Sequence, residues 1–383
     1  MIKTIFSKIF GKPKINFIPQ IQPWIDKNEL IELKKVIDST YVSESKMTEE
    51  FESMTRDMTG SKHAISMCNG TMALYACLKA MKIGIGDEVI VPNLTFVATA
   101  NAVIMAGATP VICEVYPNTF CIDVEEAEKL VTSKTRVIMP VHLYGQSADM
   151  QKIVEFSKKH NIEILEDAAQ GVGVKFMGKH TGTFGKAGVL SYYANKTITC
   201  GEGGIVLTDD DDFAKECYRL KNHGRDKKGV FIHDSIGFNF SFTEMQAAIG
   251  VSQMKKLPKI IVKKKMIYDV YSKELKSIDS MKPQFIDQRA SPVFWFVTYL
   301  CEDAEELAKF LLKSKIQTRK FFYPLNLQPC YSENEIVKNL KGDFSLSEKI
   351  YKEGISLPSS YIMTKKEQYF VIEKIKEFYE NRN

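Results

Sequence analysis

Between residues 60 and 210, short apolar runs alternate with longer segments whose apolar residues recur every third or fourth position. The runs "DEVIVP" (87–92), "TPVICEV" (109–115), "RVIMPVHLY" (136–144), "IEILEDAA" (162–169), "VLSYYA" (189–194) and "GGIVLTDD" (203–210) predict strands. The segments "MTEEFESMTRDMTG", "TMALYACLKAMKIG" and "DMQKIVEFSKKHN" carry the period of amphipathic helices. Such alternation predicts an α/β fold, a mostly parallel sheet covered by helices on both faces, with ligands at the carboxyl ends of the strands. Beyond Gly250 the pattern changes: 251–278 predicts one or two long helices, and 291–316 a strand followed by a helix. The expected organisation is an N-terminal arm at 1–17, a large domain at 18–254 and a smaller α+β domain at 255–383.

Composition narrows the class. A chain of 383 residues with 44% hydrophobic and 26% charged residues has core enough for two or three domains. Its net charge of +5 does not suggest nucleic acid. Eight cysteines without a CxxC pair predict reduced, mostly buried thiols in a cytoplasmic protein, and no zinc site. The uncharged stretch from Asn93 to Cys113 is punctuated by Thr95, Thr99, Asn101, Gly107 and Pro110, so a helix followed by a buried strand is expected rather than a membrane span. The opening "MIKTIFSKIFGKPKINF" lacks the apolar core of a secretory signal and is expected to pack on the body or on a neighbouring subunit. Lysines 255–265 are expected on a solvated helix face, and Asp209–Asp212 at a strand end and helix N-cap rather than around a metal.

The candidate chemistry gathers at strand ends. Asn69, Gly70 and Thr71 stand where an apolar run gives way to a helix, so backbone N–H groups and a hydroxyl would face an anion, although an ordinary capping turn has the same composition. Glu166 and Asp167 close an interior strand and need a cap or a ligand nitrogen to remain ionised. Gln170 lies near the same mouth, and Phe96 sits at a strand-to-helix turn where its ring would cover a planar ligand or pack in the core. Lys196, between aromatic residues and a glycine-rich turn, is either a loop-edge charge or an amine adjusted for chemistry. An anion pocket, an aromatic lid, a carboxylate for a ring nitrogen and a lysine for an aldehyde are together the demands of pyridoxal 5'-phosphate.

The ordered motifs "NGTMAL", "PNLTFVATANA", "VHLYGQSADM", "EDAAQ", "SYYANKTITCGEGG", "GFNFSFTEMQAAIG", "IQTRKFFYPLNLQPCY" and "SLPSS" resemble the DegT/DnrJ/EryC1/StrS family of sugar aminotransferases over nearly the whole chain from about Ile18. The resemblance implies a fold-type I, aspartate aminotransferase-like transferase whose three-layer large domain binds the cofactor. It implies Lys196 as the covalent anchor of pyridoxal 5'-phosphate and as acid/base, Asp167 on the pyridine nitrogen, Gln170 at the ring edge and Phe96 stacked on the ring. Gly70, Thr71 and Ser191 are implied at the phosphate, and Asn239 reaches it from the second subunit of a homodimer with shared active sites. Family dehydratases carry histidine in place of the lysine, so Lys196 favours transamination. Within the family the chain is most similar to enzymes that make 4-amino-4,6-dideoxy sugars of the perosamine type from nucleotide-linked 4-keto-6-deoxy sugars, with L-glutamate as donor, for surface glycans. Ser241 departs from the basic residue many relatives carry there and leaves the nucleotide open. Arg319 is a candidate for substrate phosphates or for a structural ion pair, and His142 and His223 are expected to be structural. Action on a 3-keto sugar, or a non-catalytic regulator that binds the cofactor, are the alternative readings.

Overall fold

Alternation of side chains along short β-branched strands needs two covered faces, and the computed structural model, which describes residues 17–226, 229–332 and 336–382, supplies both. The arm expected at 1–17 lies almost wholly outside the described residues.

The elements of the first part are α1 (Lys27–Ser39), α2 (Lys46–Thr59), β1 (His63–Met67), α3 (Gly70–Ala80), β2 (Glu88–Pro92), α4 (Ala98–Met105) and β3 (Thr109–Cys113). They continue with α5 (Val124–Leu130), β4 (Thr135–Ile138), α6 (Met150–His160), β5 (Glu163–Asp167), the short β6 (Lys175–Phe176) and β7 (Lys179–His180), β8 (Ala187–Ser191), β9 (Gly204–Thr208) and α7 (Asp211–Lys221). The main sheet has the order β1-β9-β8-β5-β4-β2-β3. It is mostly parallel; β9 alone runs against both of its neighbours. Val89 and Val91 of β2 face the layer of α3, α4 and α7, whereas Ile90 between them faces α5 and α6. At the β9 end, Leu190, Ile205 and Leu207 pack beneath Phe51 of α2.

The apolar run at 136–144 is not one strand. β4 stops at Ile138, because Pro140 has no N–H for a ladder and its carbonyl instead accepts from Asp167 N at 2.9 Å. Tyr144 then turns the chain with φ at 56°, an uncommon left-handed conformation for a bulky buried residue.

The second part begins within α8 (Glu244–Leu275), a single helix that runs straight through the position 254/255 where the change of domain was expected. The short β10 (Lys282–Pro283) and β11 (Ala290–Ser291), then β12 (Val297–Leu300), α9 (Ala304–Lys313), β13 (Arg319–Lys320), α10 (Ser345–Glu353), β14 (Gly354–Leu357) and α11 (Lys365–Glu380) follow. β10, β12, β14 and β13 form an antiparallel sheet. Val297, Leu307, Ile355 and Val371 share its core with Ile267, Tyr271 and Leu275 of α8.

The lysine-rich face of α8 is not wholly solvated. Lys256 is buried against Glu29 at 2.7 Å and Asp26 at 3.1 Å, and Lys264 is buried with its amine donating to the carbonyls of Trp295 at 3.0 Å and Ser359 at 3.3 Å. Asp210 caps α7 through Phe213 N at 2.8 Å, as the acidic run suggested. The stretch from Asn93 holds α4 and β3, and among the described residues no helix is long and apolar enough to cross a membrane. All eight cysteines are free; Cys330 is exposed and Cys68 half-buried.

Candidate active site

The parallel strands bring their carboxyl ends to one edge, and a cavity of about 600 Å³ opens there. Asn69, Gly70 and Thr71 after β1, Phe96 after β2, Asp167 at the end of β5 and Gln170 beyond it, Ser191 at the end of β8 and Lys196 beyond it all line this cavity, as does Arg319 from β13. Asn239 does not line it. That residue is exposed, pairs with Asn222 through an isolated bridge, and accepts the Ser241 N–H at 3.3 Å.

The anion end is built by close backbone packing. Asn69 caps α3, its side-chain oxygen accepting from Met72 N at 2.9 Å, and the first amides of a helix have no intrahelical acceptor. A Cβ on Gly204 would stand 2.5 Å from the Asn69 carbonyl oxygen and 2.8 Å from Gly70 N, and one on Gly70 would stand 3.2 Å from Ser191 Cβ. Glycine at both positions therefore lets the helix start sit against β8 and β9. The cleft left there is polar on one side and cradled by backbone, which suits a phosphate.

The carboxylate end is ordered from beneath. Asp167 is buried, with Oδ2 accepting from the Thr99 hydroxyl at 2.7 Å and Oδ1 from Ala169 N at 3.1 Å. Thr99 in turn meets the Thr95 hydroxyl at 2.9 Å. Gln170 Oε1 accepts the N–H of the strained Tyr144 at 2.7 Å, and the Tyr144 phenol accepts from Phe322 N at 2.9 Å. Phe96 keeps 55% of its surface exposed and tilts toward Phe322 with centroids 5.8 Å apart, so an aromatic face is available to a planar ring.

The Lys196 amine is enclosed even though the residue as a whole is only half-buried, and it lies 4.3 Å from the centroid of the Trp295 ring. Burial pushes its pKa down to about 8, while the charge of Asp167 acts in the opposite direction. A substantial neutral fraction near neutral pH is what an amine needs to attack an aldehyde. Glu202 at the cavity wall is held above the usual carboxylate range by burial.

Neighbouring residues have structural partners. His142 Nε2 meets Glu166 Oε2 at 2.9 Å while its Nδ1 accepts from Ala148 N, so the ring proton faces the carboxylate. Glu166 also accepts from Gly182 N and Gly185 N and serves as a hub of the sheet end. His223 lies away from the cavity in a left-handed turn with φ at 59°. Among the described residues no carboxylate pairs with Arg319, whose guanidinium stacks 5.5 Å from the centroid of Phe296; this leaves it free to meet an anion. Sequence reasoning missed Thr99, Phe322, Glu202 and Trp295. Thr99 lies within a quoted motif and is recognisable only once its strand-end neighbour is known, while Trp295 reaches the site from 100 positions beyond Asn195.

A model of the DegT/DnrJ/EryC1/StrS aminotransferase family matches residues 23–376. The GDP-perosamine synthase of Escherichia coli O157:H7 is 36% identical over 372 residues, covering 96% of this chain and 100% of that protein. A protein of Geobacillus stearothermophilus named pleiotropic regulatory protein is 36% identical over 324 residues, 83% of this chain and 86% of its own length. The solved structure of DesV from S. venezuelae, in complex with a ketimine intermediate, is 28% identical and superposes with a TM-score of 0.89 over 95% of this chain and 99% of that one.

Proposed function

The chain belongs to the DegT/DnrJ/EryC1/StrS aminotransferase family, and on that premise we propose that it uses pyridoxal 5'-phosphate to move an amino group from L-glutamate to the keto carbon of a nucleotide-linked 4-keto-6-deoxy sugar. The observation that carries this reading is the enclosure of Lys196, Asp167 and the start of α3 in one cavity. An amine, a buried carboxylate and an anion cleft at three sides of one space match the aldehyde, ring nitrogen and phosphate of that cofactor.

A bound pyridoxal phosphate would supply an electron sink at this site. Asp167, oriented by Thr99 and Ala169 N, holds a proton on the ring nitrogen through its negative charge. Gln170, fixed by Tyr144, orients the ring edge, and Phe96 covers its face. Gly70, Thr71 and Ser191 bind the phosphate, joined by Asn239 of a second subunit in a homodimer. Lys196 binds the cofactor and, once free, carries the proton at the substrate carbon. Arg319 takes the sugar's phosphates. The product is an aminodeoxy sugar of the perosamine type for surface glycans.

The test is incubation of the purified protein with L-glutamate and GDP-, dTDP- or UDP-linked 4-keto and 3-keto deoxysugars, with products identified by mass and NMR. Amination at C4 of a single nucleotide's sugar supports the reading, and amination at C3 selects the alternative. The relative named as a regulatory protein favours a second reading as a cofactor-binding regulator. That reading predicts uptake of pyridoxal phosphate with no conversion of any sugar.

A further inference from the structure

One indole touches the reactive lysine in two ways. The Trp295 Nε1–H donates to the carbonyl of Asn195 at 2.6 Å, the residue next to Lys196, and the ring face lies 4.3 Å from the Lys196 amine. Trp295 comes from the turn before β12, in the other half of the molecule, and is itself buried. Its placement is overdetermined. The ring stacks on Phe296 with centroids 3.8 Å apart, and a Cβ on Gly145 would stand 2.8 Å from Trp295 N. Its carbonyl accepts from Lys264 of α8 at 3.0 Å, and the same amine donates to Ser359 O at 3.3 Å. Two carbonyl acceptors match the two N–H bonds of a neutral amine, the form that burial favours for Lys264.

We propose that Trp295 is a positioning residue for Lys196, holding its ammonium over the indole face, and that Lys264 anchors Trp295 through its carbonyl. This rests on reading Lys196 as the reactive amine. A ring quadrupole attracts an ammonium and has little hold on a neutral amine. The charged lysine is therefore parked on the indole, and loss of its proton releases it toward the cavity. The other charged or titratable groups facing that space are Asp167, Tyr193, Glu202 and Arg319, of which Asp167 also favours the ammonium.

The chain has two tryptophans, so Trp24→Phe leaves Trp295 as the only indole emitter in the full-length protein. Its emission, recorded without cofactor from about pH 6 to about pH 10, is expected to change with a midpoint near the Lys196 pKa of about 8. The change should vanish in Lys196→Met. In Lys264→Met the midpoint should stay and the amplitude fall to roughly half or less, with Lys264→Gln, which keeps a donor, recovering most of it. In Trp295→Leu, the pH midpoint for uptake of added pyridoxal phosphate, followed by absorbance, should move down by about half to one unit, because the ammonium loses its platform. Should Trp295→Leu fail to fold, the emission titration decides. Emission that is independent of pH, or that titrates equally in Lys196→Met, overturns the proposal, as does an uptake midpoint unmoved in Trp295→Leu. Failure to take up pyridoxal phosphate beside an emission titration of the expected form supports the contact and removes the cofactor reading instead.

Discussion

At the scale of single residues, the site depends on which donor faces which oxygen. Asp167→Asn keeps shape but removes the charge and turns an NH2 toward either the Thr99 hydroxyl or Ala169 N, so turnover should fall by ~10²–10⁴-fold with the fold retained. Near-normal turnover in a steady-state assay would assign the ring nitrogen to another group. Thr99→Val removes one of the two hydrogen bonds and leaves the charge, and a loss of about tenfold in kcat is expected, from an interaction of ~1.5 kcal/mol. The candidates for this chemistry could be picked out because Asp167 ends a strand, and Gln170 and Lys196 follow within five positions of one, whose apolar run announces its end. Trp295 was not, since nothing local distinguishes "VFWFV" from a core strand.

At the scale of elements, the glycine that opens β9 controls the start of α3. Gly204→Ala forces a methyl against the Asn69 carbonyl and Gly70 N, both backbone atoms that cannot rotate away. The helix start must shift, and the expected result is a rise of tenfold or more in the pyridoxal phosphate concentration needed for half-saturation, with ~1–3 kcal/mol of lost stability by urea titration. Strands β2, β3, β5, β8 and β9 were legible from their apolar runs; the two-residue β6, β7, β10, β11 and β13 are too short to leave a run, β14 was not singled out, and Pro140 and the left-handed Tyr144 break an apolar run that has no charge to mark the break. Helix α8 shows the opposite failure. Lys256, Ile260, Lys264, Ile267, Tyr271 and Leu275 form its buried stripe at spacings of three and four, so two lysines occupy core positions. Their charge suggests solvent, while their period places them inside; Lys256 is compensated by Glu29 and Asp26, and Lys264 by carbonyls.

At the scale of the whole molecule, burial of Lys264 becomes a dependence of stability on pH. Its pKa is pushed down to about 7 in the fold against about 10.4 in the unfolded chain, so between those values the unfolded state binds more protons and stability rises with pH. The slope for one such group is ~1.4 kcal/mol per pH unit at most, and Lys264→Met should lower the rise in urea midpoint across that window, most clearly below the Lys196 pKa of about 8, above which Lys196 adds a slope of its own; an unchanged slope would show that Lys264 stays charged. The proposed homodimer makes a separate prediction. Lys196→Ala and Asn239→Asp should each be poorly active alone, and co-expression should restore about one quarter of wild-type activity per site, because half of randomly formed dimers are mixed and each mixed dimer keeps one intact site. Activity no higher than the mean of the two variants would place Asn239 outside the shared site.

The single helix α8 also sets which length changes the gene can accept. Its early turns pack on α1 and α2, and its later turns carry Lys264 and the stripe that closes the second core. One residue inserted between Lys256 and Lys264 rotates everything after it by about 100°, carrying Lys264 away from Trp295 and the following apolar stripe into water. An insertion of seven residues, close to two full turns, restores the facing but displaces the later half by about 10 Å along the axis. Drift in this stretch is therefore confined to substitution, whereas the exposed residues 229–234, between α7 and α8, have no such phase to keep and could take a length change without turning a packed face into water.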